Sequence, residues 1–229
     1  MTDYGQGNES QAWFLTGNIG LPFHRYPTSY GEYVGLAIRV GQDMDLNGDS
    51  PSTYGQKNLP PPEIRLRRNI WRVSFMLDLF LSLHLGRAPA LFDGLRSATK
   101  YNVQQSEYAT HPVPTFLHTV ALCQTISRIY LHLYLAFNTP GLQTPAEKLT
   151  VLREELESWH RSLPAHYCVA VGNQSEKLDV LELNMLYQVA VILLHHPFCW
   201  ENATPCATDA LVEAAAVFDE LLRRYRPVQ

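Results

Sequence analysis

The stretch from Pro62 to Leu85 sets the strongest limit on what this chain can fold into. Ile70, Trp71, Val73, Phe75, Met76, Leu77, Leu79, Phe80, Leu83 and Leu85 put apolar groups on nearly every side of a helix, so that helix has to lie inside a bundle of others. Pro61 and Pro62 suit its entry and first turn, and Glu63 favours the positive end of its dipole. Gly86 predicts a left-handed cap on the last carbonyls, and Pro89 forbids a restart. Asp78 is the one carboxylate in the apolar run. Burial of its charge demands a partner. Arg87 is the first choice, with the hydroxyls of Ser74 and Ser82, one turn to either side, as alternatives. Arg72 and the group Arg65, Arg67 and Arg68 read as a solvated face and as ion-pair partners rather than a DNA surface.

Helical spacing recurs along the chain. Phe116, Val120, Cys123, Ile126 or Ser127, Tyr130, Tyr134 and Phe137 predict a helix over 114–137, stopped by Asn138-Thr139-Pro140-Gly141. Thr144-Pro145-Ala146-Glu147 is a capping box, followed by the stripe Leu149, Leu152, Leu156, Trp159 and Leu163 and ended by Pro164. Leu178, Leu181, Met185, Leu186, Val189, Ile192 and Leu193 predict a helix from Lys177 to His195, closed by Pro197. A last helix follows Pro205, with Thr208 as its cap and Leu211, Ala215, Phe218, Leu222 and Tyr225 on one face. No stretch alternates as a half-buried strand does. The fold class expected is all-α, an irregular multi-helix bundle of antiparallel helices forming one domain over 1–229. The polar, proline-punctuated stretches 47–60 and 94–113 read as surface loops.

Composition narrows the function classes. A formal net charge of −4 argues against a chain whose main contact is nucleic acid. Cys123, Cys168, Cys199 and Cys206 contain no CxxC pair, so neither a zinc ribbon nor a redox motif is written here. The first residues are polar and lack the apolar core of a signal peptide, which carries the expectation of a reducing, intracellular setting with free thiols and idle sequons at Asn8, Asn173 and Asn202. The longest purely apolar run, near Val189 to Leu194, is too short to span a bilayer, and no membrane partner is expected.

Candidate chemistry is thin. Asp43, Asp45 and Asn47 followed by Gly48 resemble the start of a calcium loop, but Tyr54 stands where a chelating glutamate is needed, so a polar helix end and turn is the better reading. His195, His196, Cys199 and Cys206 crowd one helix end; adjacent histidines diverge by about 100° on a helix, so one faces the core and metal binding is not expected. No GxSxG, HExxH, P-loop or GxGxxG motif occurs, and no catalytic residue is assigned.

The stretch RRNIWRVSFMLDLFLSLHLGRAPALFD, residues 67–93, resembles the signature of the fungal-specific transcription factor domain, the regulatory middle-homology region of fungal zinc-cluster regulators, including the xylanolytic-activator type. Arg67, Arg68, Trp71, Phe75, Leu77, Asp78, Ser82, Leu85, Gly86, Arg87, Pro89 and Asp93 carry the match. Arg72, Leu79 and Ala88 depart from it. LREELESWHRSLPAH, with Trp159 and Pro164, and LNMLYQVAVILLHHPF, with His195 and Pro197, are similar to two further helices of the family, and LAIRVGQDMDL to an upstream element. The resemblance spans most of 10–225. It implies an all-helical regulatory region, a nuclear location and control of transcription. It also implies DNA binding through a zinc cluster whose six cysteines are absent from this sequence, so neither zinc nor DNA contact is assigned to any residue here. The partners it implies are DNA through that separate module, a coregulator protein or small-molecule effector, and a second copy of the chain. The competing reading is a stand-alone helical module for a metabolite or partner protein; an enzyme ranks third.

Residues 18–35 stand apart. They carry Pro22, Pro27 and several glycines between QAWFLTG and LAIRVGQDM, which run together as one helix in the resembling family. Joining Gly17 to Leu36 aligns Phe14, Leu36, Val40 and Met44 at four-residue steps. The codons of Gly17-Asn18 and Val34-Gly35 can hold a splice donor and an acceptor, so the segment reads as an insertion or a retained intron, irregular if translated and splitting the helix.

Overall fold

A computed structural model describes residues 27–44, 46, 59–91, 115–135, 144–169, 177–199 and 205–225. They form six α-helices in chain order: α1 Pro27–Asp43, α2 Pro61–Leu85, α3 Thr115–Tyr130, α4 Pro145–Ser162, α5 Leu178–His195 and α6 Pro205–Tyr225. No strand occurs among the described residues, which establishes the all-α class. Packing groups the chain into two compact units, 1–104 and 105–229. The division falls inside the polar stretch 94–113.

In the first unit α1 packs on α2. The contact turns on small against large: a Cβ at Gly41 would lie 3.2 Å from the Trp71 ring and 3.5 Å from Leu46, closer to the ring than side chains normally approach. Trp71, Ile38 and Leu46 are buried there. The Arg67 guanidinium joins the two elements by donating to the Met44 carbonyl at 3.3 Å, and its Nε pairs with Glu63 at 3.2 Å. The expectation that 18–35 is irregular is corrected over 27–35, which is helical and continuous with 36–43. Proline at the first helical position lacks only an N–H that would go unpaired anyway, so Pro27 opens α1 instead of breaking it. Residues 18–26 lie outside the described residues, as does most of the stretch weighed as a calcium loop. The stripe Leu36, Val40 and Met44 does share a face, but that face is exposed. Arg72 also departs from its expectation: it is buried, with Nη1 donating to the Asn69 side chain at 3.0 Å.

In the second unit α5 is the central element, packed chiefly on α6 and α3. Leu183, Ala190 and Leu194 on α5 and Leu122, Ile126 and Ile129 on α3 are almost completely buried; each large one contributes roughly 1.5–3 kcal/mol. The window 178–199 has mean hydropathy 1.4 and is long and apolar enough to cross a membrane, contrary to the reading from its longest pure apolar run. Yet 61% of it is buried by neighbouring helices, which accounts for the apolarity without a bilayer. The helix expected over 114–137 is α-helical only to Tyr130 and continues as a π turn, Leu131–Leu135. That wider turn sets Tyr134 beside α5, where its hydroxyl donates to the Leu193 carbonyl at 2.8 Å. Thr115 to Asp179 at 2.6 Å, Arg128 to Glu155 at 2.5 Å and Tyr225 to Glu182 at 2.8 Å tie further helix pairs. The capping box on α4 is complete. On α6 the cap assignment is corrected: the helix begins at Pro205, so Thr208 lies within its first turn. Its buried face is Ala207, Ala214, Phe218 and Leu221, rotated from the stripe read in the sequence.

Candidate functional site

Two places gather the residues that chemistry singles out, one in each unit. The first is the turn after α2. Gly86 sits at φ 63° and ψ 31°, left-handed as glycine permits, and its N–H closes on the Ser82 carbonyl. The Arg87 N–H donates to the same carbonyl at 3.0 Å. The chain then passes the buried Pro89 and turns back, bringing the Leu91 N–H within 2.9 Å of Asp78 Oδ2. The Ala90 N–H adds to this. Asp78 is buried, as expected, but its partner is corrected: backbone amides hold the carboxylate, and Arg87, itself exposed, contributes only the weakest attraction. An amide costs no side-chain entropy to place and reaches where an exposed arginine does not. Burial still pushes the Asp78 carboxyl above its ordinary value, with the two amides and Arg87 pulling the other way. The arrangement locks a turn and offers no open position for chemistry.

The second place is a cleft of about 350 Å³ where α4, α5 and α6 meet. Arg153 and Glu157 come from α4, Tyr187 and His195 from α5, and Glu213 and Val217 from α6. His195 is buried, the core-facing member of the adjacent pair. Its Nδ1 lies 2.9 Å from the Val191 carbonyl and its Nε2 lies 3.1 Å from Arg153 Nη2. A carbonyl only accepts and a guanidinium only donates, so the imidazole is neutral with its proton on Nδ1. Burial lowers the His195 pKa, the Arg153 charge lowers it further, and the Val191 bond and Glu157 oppose. Arg153 Nε is buried without a hydrogen-bond partner among the described residues. Tyr187, in the cleft wall, stacks on His160, ring centroids 4.4 Å apart, and on Trp159 at 5.9 Å.

The residues read from the sequence therefore separate. Arg67, Trp71, Asp78, Ser82, Gly86, Arg87 and Pro89 build the first unit's helix and turn. His195 lines the cleft, Trp159 backs its wall, Pro164 follows the α4 cap at Leu163, and Pro197 lies in the 3₁₀ turn His196–Cys199. Arg68 is half-buried on α2, and Asp93 lies outside the described residues. Arg153, Glu157, Tyr187 and Glu213 escaped the sequence reading, because in an amphipathic helix a charge lining a cleft is spelled like one facing water. Among the described residues no three His, Cys, Asp or Glu side chains converge as metal ligands would.

Comparison with known proteins bears on both units. The fungal specific transcription factor domain matches residues 6–161. The nitrogen assimilation transcription factor nirA of Emericella nidulans is 25% identical across 85% of this chain and 24% of its own length. The nitrogen assimilation transcription factor nit-4 of Neurospora crassa is 27% identical across 72% of the chain and 16% of its own. The acetamidase regulatory protein of Aspergillus fumigatus is 24% identical across 81% of the chain and 23% of its own. The chain thus spans less than a third of the length of the curated relatives it matches. No solved structure matches it significantly.

Proposed function

The chain belongs to the fungal-specific transcription factor domain family, and from that premise we propose that it is the regulatory region of a nuclear transcription regulator whose DNA contact is made by a separate zinc-cluster module. The family match across 6–161 carries this reading. The names of its relatives support it, since two are named transcription factors and the third a regulatory protein. Net charge of −4 agrees with a region that does not itself grip the phosphate backbone. On this reading the domain catalyses nothing and holds no cofactor, zinc being confined to the separate module. It acts through contacts with a coregulator or effector and pairs with a second copy of itself.

The experiment is a tethered reporter. Residues 1–229 are fused to an unrelated DNA-binding domain, and a promoter bearing that domain's site is read. The expected result is a change in output, up or down, relative to the DNA-binding domain alone; an unchanged reporter with the fusion present in the nucleus overturns the reading. The unfused chain is expected to give no sequence-specific shift with duplex DNA at physiological salt.

A further inference from the structure

Three charged side chains line the α4–α5–α6 cleft: Arg153, Glu157 and Glu213. Arg153 forms an ion pair with no carboxylate among the described residues, although both glutamates face the same space. Opposite charges that could quench each other are instead held apart. Among the described residues the partner of Arg153 is neutral: His195 accepts from Nη2 and fixes the guanidinium without cancelling its charge. Nε remains a buried donor with no partner among the described residues. Leu156, Val191, Leu194, Ala214 and Val217 supply an apolar part of the wall, beside the polar Gln188, Tyr187 and His195. A volume of about 350 Å³ lies at the small end of ligand sites.

We propose that this cleft binds a small zwitterion of the amino-acid class, its carboxylate taken by Arg153, its ammonium by Glu213 and Glu157, and its side chain by the apolar wall. A simple anion would meet two glutamates for one arginine, and a simple cation would leave Arg153 uncompensated. A molecule carrying both charges answers both. The proposal rests on the regulatory reading in that the ligand is the effector the domain senses.

The test is calorimetric titration of the purified chain with each of the twenty free L-amino acids. For any that binds, the corresponding decarboxylated amine and deaminated carboxylic acid are titrated as well. The expected result is saturable one-to-one binding of at least one amino acid, with the amine and the acid each weaker by roughly tenfold or more, the scale of one lost charge-assisted hydrogen bond. Arg153→Met and Glu213→Gln are each expected to weaken binding by a similar factor. Arg153→Lys, which keeps the charge but not the planar fork, is expected to weaken it as well and guards against a folding defect in Arg153→Met; unchanged helical circular dichroism identifies the folded variants. Absence of binding by all twenty overturns the proposal. So does binding that folded Arg153→Met or Arg153→Lys leaves intact, and so does an acid or amine that binds as tightly as the amino acid. The tethered reporter separates the two conclusions: a responsive reporter with a silent calorimeter removes the ligand and leaves the regulatory function standing.

Discussion

Asp78 and Leu91 meet across thirteen residues of chain, the carboxylate on α2 accepting the backbone N–H at 2.9 Å. The contact pins the turn that follows Gly86 back onto the helix it leaves. Asp78→Ala removes the acceptor and strands that buried N–H, and a loss of about 1–3 kcal/mol in urea unfolding is expected. Asp78→Asn retains an acceptor and is expected to lose less. The sign with pH is definite. Burial raises the folded-state pKa above the ordinary 3.8, so the folded chain holds this proton more tightly than the unfolded one. Asp78 therefore contributes more stability as pH falls through its folded value and less above it. Asp78→Asn is expected to abolish that component, read as the difference between the two proteins' unfolding midpoints from neutral to mildly acid pH.

Gly86 is left-handed at φ 63°. Gly86→Ala is expected to cost roughly 1 kcal/mol and Gly86→Val more, since a β-branched side chain resists positive φ most. Equal stability of wild type and Gly86→Val in a denaturant titration would remove the cap from the account.

Gly41 sits where α1 crosses Trp71. Gly41→Ala sets two effects against each other. Helix propensity favours alanine by about 1 kcal/mol, while a Cβ 3.2 Å from the Trp71 ring forces the ring to yield. Near-cancellation is expected. Gly41→Leu has no such offset and is expected to lose about 1–3 kcal/mol through overpacking, with a shift in tryptophan emission that Trp71→Phe abolishes.

His195 is neutral in its two hydrogen bonds, and its pKa is lowered chiefly by burial. The unfolded chain takes up that proton first, so the His195 contribution is complete above the ordinary value of 6.5 and is lost as pH falls below it toward the folded pKa. His118, His160 and His196 are lowered for the same leading reason and add to the slope. His195→Gln is expected to flatten part of the stability loss between pH 7 and pH 5, checked by urea midpoints across that range. An unchanged slope would exclude His195 as a contributor.

The retained-intron proposal for residues 18–35 rests on the codons these residues can take and on the family resemblance, since α1 is helical from Pro27 onward. Sequenced cDNA across codons 10 to 45 is expected to include a species joining Gly17 to Leu36. Genomic DNA without GT and AG at the two junctions ends the proposal.

The sequence by itself determined α2, α4 and α5 and their punctuation. Apolar spacing and caps are local, so Gly86 after Leu85, the Thr144–Glu147 box and the limits of α2, α4 and α5 were legible from neighbours a turn away. The family resemblance was legible for the same reason, its signature being one helix and its stop. The tertiary structure decided which helix faces are covered and which charges meet. Leu36, Val40 and Met44 make as good a stripe as any in the chain, yet the packed side of α1 is the one bearing Ile38 and Gly41. Asp78 had to have a partner, but the backbone amides that serve it come into reach only when the chain turns back after Pro89. Arg153 reads as one more solvated charge on α4 until α5 brings His195 to its guanidinium and α6 brings Glu213 to the same cleft. Burial and charge proximity depend on residues far apart in sequence, and no local pattern encodes them.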